Sequence, residues 1–179
     1  RGPAQGLWLQ AYEWVVHVGG TGSLWGLSYV KALRDAGGRL IGVLDTDLDL
    51  PALNRFLRAV SAEYRVELQI VELGEAPRLL GGKTVDSAPS APPAELADLI
   101  PASAAPDGFV GQAPLGGGRH WVGARRMMLP GGVQWMVVAS RPAEAIDASL
   151  RRQLLEVGGM GMVLLLALAL ISARLARRF

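Results

Sequence analysis

The chain has 179 residues, half of them hydrophobic, with 18 Lys and Arg against 16 Asp and Glu and no cysteine. Without cysteine there is neither a disulfide framework nor a thiolate metal centre. All 16 acidic residues precede Val157 while Arg174, Arg177 and Arg178 follow it, so the body of the chain is near neutral with scattered arginines, which excludes the basic stripe that nucleic-acid binding requires.

The length suits one medium domain or two small ones. The start on Arg1 and the basic run ending at Phe179 lead us to expect a segment of a longer chain. LWLQAYEWVVHV (7–18) is aromatic-rich and predicts a short helix running into a strand, and GGTGS (19–23) predicts a turn. LWGLSYVKALRD (24–35) and RLIGVLDTDL (39–48) read as two strands joined at Ala36-Gly37-Gly38, a hairpin signal. Asp49 before Leu50 and Pro51 marks a helix start, because aspartate caps free amides and proline is tolerated in the first turn. The helix that follows carries Leu53, Phe56, Leu57 and Val60 at helical spacing.

A second set opens at RVELQIVEL (65–73), where Val66, Leu68, Ile70 and Glu72 alternate with Glu67, Gln69 and Val71. Residues 84–107 are rich in Pro, Ala and Ser and predict a loop holding one short helix, Pro93 to Ile100. GFVGQAPL, RHWVGARRMML and VQWMVVASR follow as three strands, separated by Gly116-Gly117-Gly118 and Pro130-Gly131-Gly132. In the middle one, Arg125-Arg126 reads as an exposed pair running into a buried Met127-Met128. From Pro142 the pattern turns helical.

VGGMGMVLLLALALISA (157–173) carries no charge, and reaching back to Leu154 adds only Glu156. A helix needs roughly 20 such residues to cross the hydrocarbon layer. With arginines at both flanks, 154–173 is expected to span a lipid bilayer, and the three after it against two before lean towards a cytoplasmic C-terminus. The whole reads as an α+β chain with two antiparallel sheets, each partly covered by a helix, plus a C-terminal transmembrane helix.

The aspartates of LDTDLDL invite a calcium reading, since Asp45, Asp47 and Asp49 repeat the D-x-D-x-D of an EF-hand loop. That loop needs glycine at its sixth place and glutamate at its twelfth, where this chain has Leu50 and Phe56. Neither His17 nor His120 belongs to a metal-spaced cluster, so no metal and no cofactor are expected. GGTGSLWG lacks the order of a nucleophile elbow and has Trp25 where a phosphate-binding loop starting at Gly20 needs its last glycine. No catalytic residue is assigned.

GLSYVKALRDAGGRLIGVLDTDLDLPALNRFL (26–57) resembles the last strands and following helix of the membrane-distal module of a bacterial double Cache, or periplasmic PAS-like, sensor region. RVELQIVELGEAPRLLGG (65–82) resembles the first strands of the membrane-proximal module. Residues 119–150 resemble its closing strands and exit helix, and RLARRF (174–179) the opening of a HAMP linker. The resemblance implies that 1–62 is the C-terminal part of a truncated distal module and 63–141 a proximal PAS-like module with the loop 84–107. An exit helix (142–153), a span (154–173) and a cytoplasmic linker (174–179) would follow. It places residues 1–153 outside a bacterial inner membrane, in a homodimeric receptor whose output domain follows Phe179. Histidine kinase comes first among outputs, with nucleotide cyclase, diguanylate cyclase and chemoreceptor open.

In amino-acid-binding members, the aspartate at the place of Asp47 pairs with the ligand's ammonium group, so the resemblance implies a cationic or amino-acid-like small molecule. Strand alternation puts Ile41, Val43, Asp45 and Asp47 on one face, a carboxylate on an apolar-lined surface. The competing reading leaves Asp45 and Asp47 solvated at a strand end. His17 stands where the family carries Pro-Tyr. Trp14, His17, Trp25 and Tyr29 are candidate pocket walls, with plain core as the alternative for each. A membrane-anchored periplasmic binding or scaffold protein without signalling output is the alternative function.

Overall fold

A computed structural model describes residues 6–16, 22–85, 87–148 and 151–152. The chain divides into a unit up to Arg141 and a second one, Pro142–Phe179. The first begins with strands β1 (Leu7–Trp8), β2 (Tyr12–Val16), β3 (Gly22–Arg34) and β4 (Leu40–Asp49), which form an antiparallel sheet, here sheet A. The 13-residue β3 is its spine. It pairs with β1 and β2 end to end along one edge and with β4 along the other. Among the described residues of 7–18 there is no helix, because backbone partners along that edge of β3 outweigh local preference and draw both short segments into strands.

The hairpin between β3 and β4 turns on Asp35, whose carbonyl accepts from Gly38 N at 2.9 Å and whose carboxylate accepts from Arg39 N at 2.9 Å. Gly38 has φ +82°, a conformation that costs glycine little. Pairing slips between Leu33 and Arg34, so that Gly42 faces Leu33 but Leu40 faces Arg34.

Helix α1 (Leu50–Tyr64) starts as expected, with the Asp49 side chain accepting from Ala52 N and proline in the first turn. It stops at Arg65, which takes the left-handed conformation at φ 54° and donates its N–H to Ser61 O. Its buried residues are Leu50, Leu53, Asn54 and Leu57. Phe56, placed at core spacing in the sequence, is 63% exposed.

Sheet B contains β5 (Glu67–Leu73), β6 (Arg78–Gly81), β7 (Phe109–Leu115), β8 (Gly118–Met128) and β9 (Gln134–Pro142), in the order β6-β5-β9-β8-β7. The turn between β7 and β8 is Gly116-Gly117, both at positive φ, as a two-residue hairpin loop requires. Ile70, Val71 and Glu72 are buried in succession, because both faces of this sheet are covered. One face, with Leu80 and Ile70, packs on Leu27 of β3 and on Leu50, Leu53 and Leu57 of α1. The opposite face, with Val71, Leu79, Met136 and Val138, packs on Leu96 and Leu99. These last lie in two short helical turns, α2 (Ala94–Ala97) and α3 (Leu99–Ala102), where one helix was expected.

The end of β8 departs from its expected burial, although Arg125 is exposed as expected. Met127 and Met128 are exposed while Arg126 is half-buried. The pairing of β7 ends at Phe109 opposite Ala124, so the residues beyond run past that neighbour.

In the second unit, residues 143–148 and 151–152 are helical. The expected span 154–173 and the linker 174–179 lie outside the described residues. Among the described residues no helix is long and apolar enough to cross a membrane.

Candidate functional site

Alternation along a strand makes sheet A two different surfaces. Asp47 of β4 stands directly opposite Ser28 of β3, and Tyr12 of β2 opposite Gly26. One face of the sheet therefore carries Tyr12, Trp14, Ser28 and Asp47 together. Ser28 has no exposed surface, and its hydroxyl donates to Asp47 Oδ1. Since that proton is committed, the Tyr12 hydroxyl, 2.6 Å away, is the donor to Ser28 Oγ.

The Trp14 ring lies across Gly26, where a Cβ would overlap it, and stands edge-on to Tyr12 with centroids 5.4 Å apart. The result is an exposed carboxylate, steadied through one oxygen, beside two aromatic rings. A carboxylate and ring faces both attract a cation, the first by charge-assisted hydrogen bonds and the second through the ring quadrupole.

The other proposed wall residues fall elsewhere. Trp25 and Tyr29 point to the opposite face of sheet A. Trp25 packs against the shared core, with the Arg78 guanidinium carbon 5.9 Å from its ring centroid. Tyr29 packs against Trp8 at a tilt of 53° with centroids 5.4 Å apart, and accepts from Gly6 N through its hydroxyl at 3.2 Å. His17 lies outside the described residues. Asp45 is exposed beside Asp47 along β4, facing Val30. Among the described residues no group of His, Cys, Asp or Glu is placed to hold a metal ion.

Ser28 and Tyr12 were missed from the sequence. The available signal was the hairpin, which places some residue of β3 opposite Asp47. Counting from the turn alone pairs Asp47 with Leu27; the slip at Leu33 moves Ser28 into that place.

No protein-family model matches the chain, and no curated protein matches it. Solved structures do. The ligand-binding domain of the Pseudomonas fluorescens chemoreceptor CtaA, in complex with L-isoleucine, superposes with a TM-score of 0.50 at 16% identity, over 82% of this chain and 56% of that one. The sensory domain of the Campylobacter jejuni chemoreceptor Tlp3 with isoleucine bound gives 0.52 at 14% identity, over 81% and 52%. The ligand-binding domain of Tlp3 in complex with 4-methylisoleucine gives 0.51 at 12%, over 81% and 50%. This chain thus spans about half the length of the structures it matches. At such identities the likeness is one of fold, the antiparallel sheets with few helices of a Cache-like sensory domain.

Proposed function

We propose that this chain is the extracytoplasmic ligand-sensing region of a bacterial transmembrane receptor. Residues 1–62 supply the C-terminal part of a distal Cache module and 63–141 a proximal PAS-like module. The helix that follows β9 passes the signal through a span at 154–173 towards a cytoplasmic linker. The reading is supported by the chemoreceptor sensory fold and, above all, by the Asp47 surface, an aimed carboxylate beside aromatic rings. The ligand class is a cation or an amino acid, its ammonium on Asp47 and its side chain against Trp14 and Tyr12. The solved neighbours were crystallised with isoleucine and 4-methylisoleucine, which agrees with that class. Ligand binding shifts the receptor only by its differential affinity for two states, and the output domain that reads the shift is a histidine kinase first, a cyclase or chemotaxis module next.

The test is titration of the full-length receptor in nanodiscs against the proteinogenic L-amino acids and small organic cations. Losing a charge-assisted bond to an ammonium group should weaken binding by about tenfold or more in Asp47→Ala. Unchanged affinity for the ligand found would remove Asp47 from the site. Sequencing past Phe179 tests the receptor assignment separately, since a HAMP continuation and a catalytic or signalling domain should follow.

A further inference from the structure

A separate cleft of about 490 Å3 lies away from the Asp47 surface, lined among others by Gln10, Glu75, Ile100, Arg126 and Gln134. A neighbouring depression of about 480 Å3 shares Gln10 and Glu75 with it and adds Glu72 and Arg78. Both volumes fall in the range of small-molecule sites, roughly 300–1,000 Å3.

The charges in this region are unevenly committed. Glu72 is buried and accepts from both Arg78 and the Ala11 N–H, so the charges of Glu72 and Arg78 are committed to each other. Glu75 and Arg126 remain, lining one cleft, and neither takes part in an ion pair among the described residues. Arg126 is anchored where its Nη2 donates to the Ile100 carbonyl at 3.1 Å, while its Nε is buried without an acceptor. An anchored guanidinium loses little rotamer freedom on binding, and its planar fork suits a carboxylate. Unpaired opposite charges lining one cavity of ligand size, with Gln10 and Gln134 in the same lining, match the two ends of a zwitterion.

We propose that this cleft is a second ligand site that binds a small zwitterion of the α-amino-acid class, its carboxylate on Arg126 and its ammonium on Glu75. Gln10 belongs to the connection between β1 and β2, Arg126 to β8 of sheet B, and Ile100 to α3. A ligand there bridges sheet A, sheet B and the segment that covers sheet B.

The experiment is titration of the full chain in nanodiscs with the proteinogenic L-amino acids, performed on Asp47→Ala so that the first surface is silent. An amino acid should still bind, and Arg126→Gln and Glu75→Gln should each weaken it by about tenfold or more. Its α-amide and its deaminated acid, each lacking one charged end, should bind weaker by a similar factor. Glu75 is exposed, so Glu75→Gln decides the matter if Arg126→Gln disturbs the fold. No amino acid binding to Asp47→Ala, binding indifferent to Glu75→Gln, or equal binding of the deaminated acid would each overturn the proposal. The Asp47 reading stands or falls independently, in Glu75→Gln protein with Asp47 intact.

Discussion

Ser28 presents one hydroxyl between a phenol and a carboxylate, and none of it reaches solvent. Its removal should be cheap for the fold and expensive for the surface. Tyr12 and Asp47 are both exposed and can turn to water, so Ser28→Ala should lower stability by only about 1 kcal/mol, the net worth of an ordinary hydrogen bond. Denaturant unfolding checks that figure, and the same variant should bind the Asp47 ligand more weakly, since the carboxylate loses what aims it. Gly26 makes a sharper case. A Cβ there would overlap the Trp14 ring and approach the Leu48 carbonyl oxygen at 2.6 Å, a backbone atom that cannot swing aside. Gly26→Ala should therefore cost about 1–3 kcal/mol, as overpacking does, and displace Trp14, read out as a change in tryptophan fluorescence. The strand position of Asp47 was legible in the sequence from the pattern of residues 39–48. Its partners were not, because a slip of one residue in pairing exchanges the two faces of a strand. That slip depends on a local irregularity at Leu33 that no residue type announces.

At the scale of an element, α1 shows what sequence signals carry and where they stop. The start at Asp49 was readable because capping is a local interaction between an aspartate and the amides that follow it. Asp49→Ala should cost about 1 kcal/mol, and Asp49→Asn, which keeps an acceptor, much less. The buried stripe was only half readable. Leu53 and Phe56 both fit helical spacing, yet one is in the core and the other in solvent. The choice is made by what faces the helix: Asn54 is buried because its amide donates to Leu50 O at 3.0 Å and its carbonyl accepts from Gly82 N at 2.9 Å. That bond turns the Asn54 side of α1 towards the end of β6 and leaves Phe56 outside. Leu53→Ala and Leu57→Ala should each cost about 2–5 kcal/mol, whereas Phe56→Ala should fall within about 0.5 kcal/mol of the parent. Thermal melts of the three variants distinguish this arrangement from one in which Phe56 is a core residue.

Across the whole of the first unit, the number of sheets was legible from strand patterns, but their shared core was not. One apolar cluster takes Ala11 and Leu27 from sheet A, Leu50, Leu53 and Leu57 from α1, and Ile70 and Leu80 from sheet B. Glu72 adds a polar tie across the same boundary. Its side chain accepts from the Ala11 N–H at 2.9 Å and pairs with Arg78, whose guanidinium lies near the Trp25 ring. In the sequence Glu72 falls in line with Val66, Leu68 and Ile70 of an alternating strand, and nothing local explains a carboxylate there, because its partners are 61 residues away at Ala11 and across the turn at Arg78. Breaking a buried pair from one side costs more than the pair is worth, since the other charge is left uncompensated. Here Arg78 keeps 31% exposure and can be hydrated, so Glu72→Ala should destabilise by about 1–3 kcal/mol, much of it from the Ala11 N–H left without an acceptor, while Glu72→Leu combined with Arg78→Leu should recover a large part of the loss. A double-mutant cycle measures this, and hydrogen exchange locates it. If Glu72 ties the sheets together, the Ala11 amide should lose protection in Glu72→Ala along with the β2–β3 ladder. Loss confined to β5 and β6 would instead mean that the tie serves sheet B alone, and that sheet A is held to it by apolar packing.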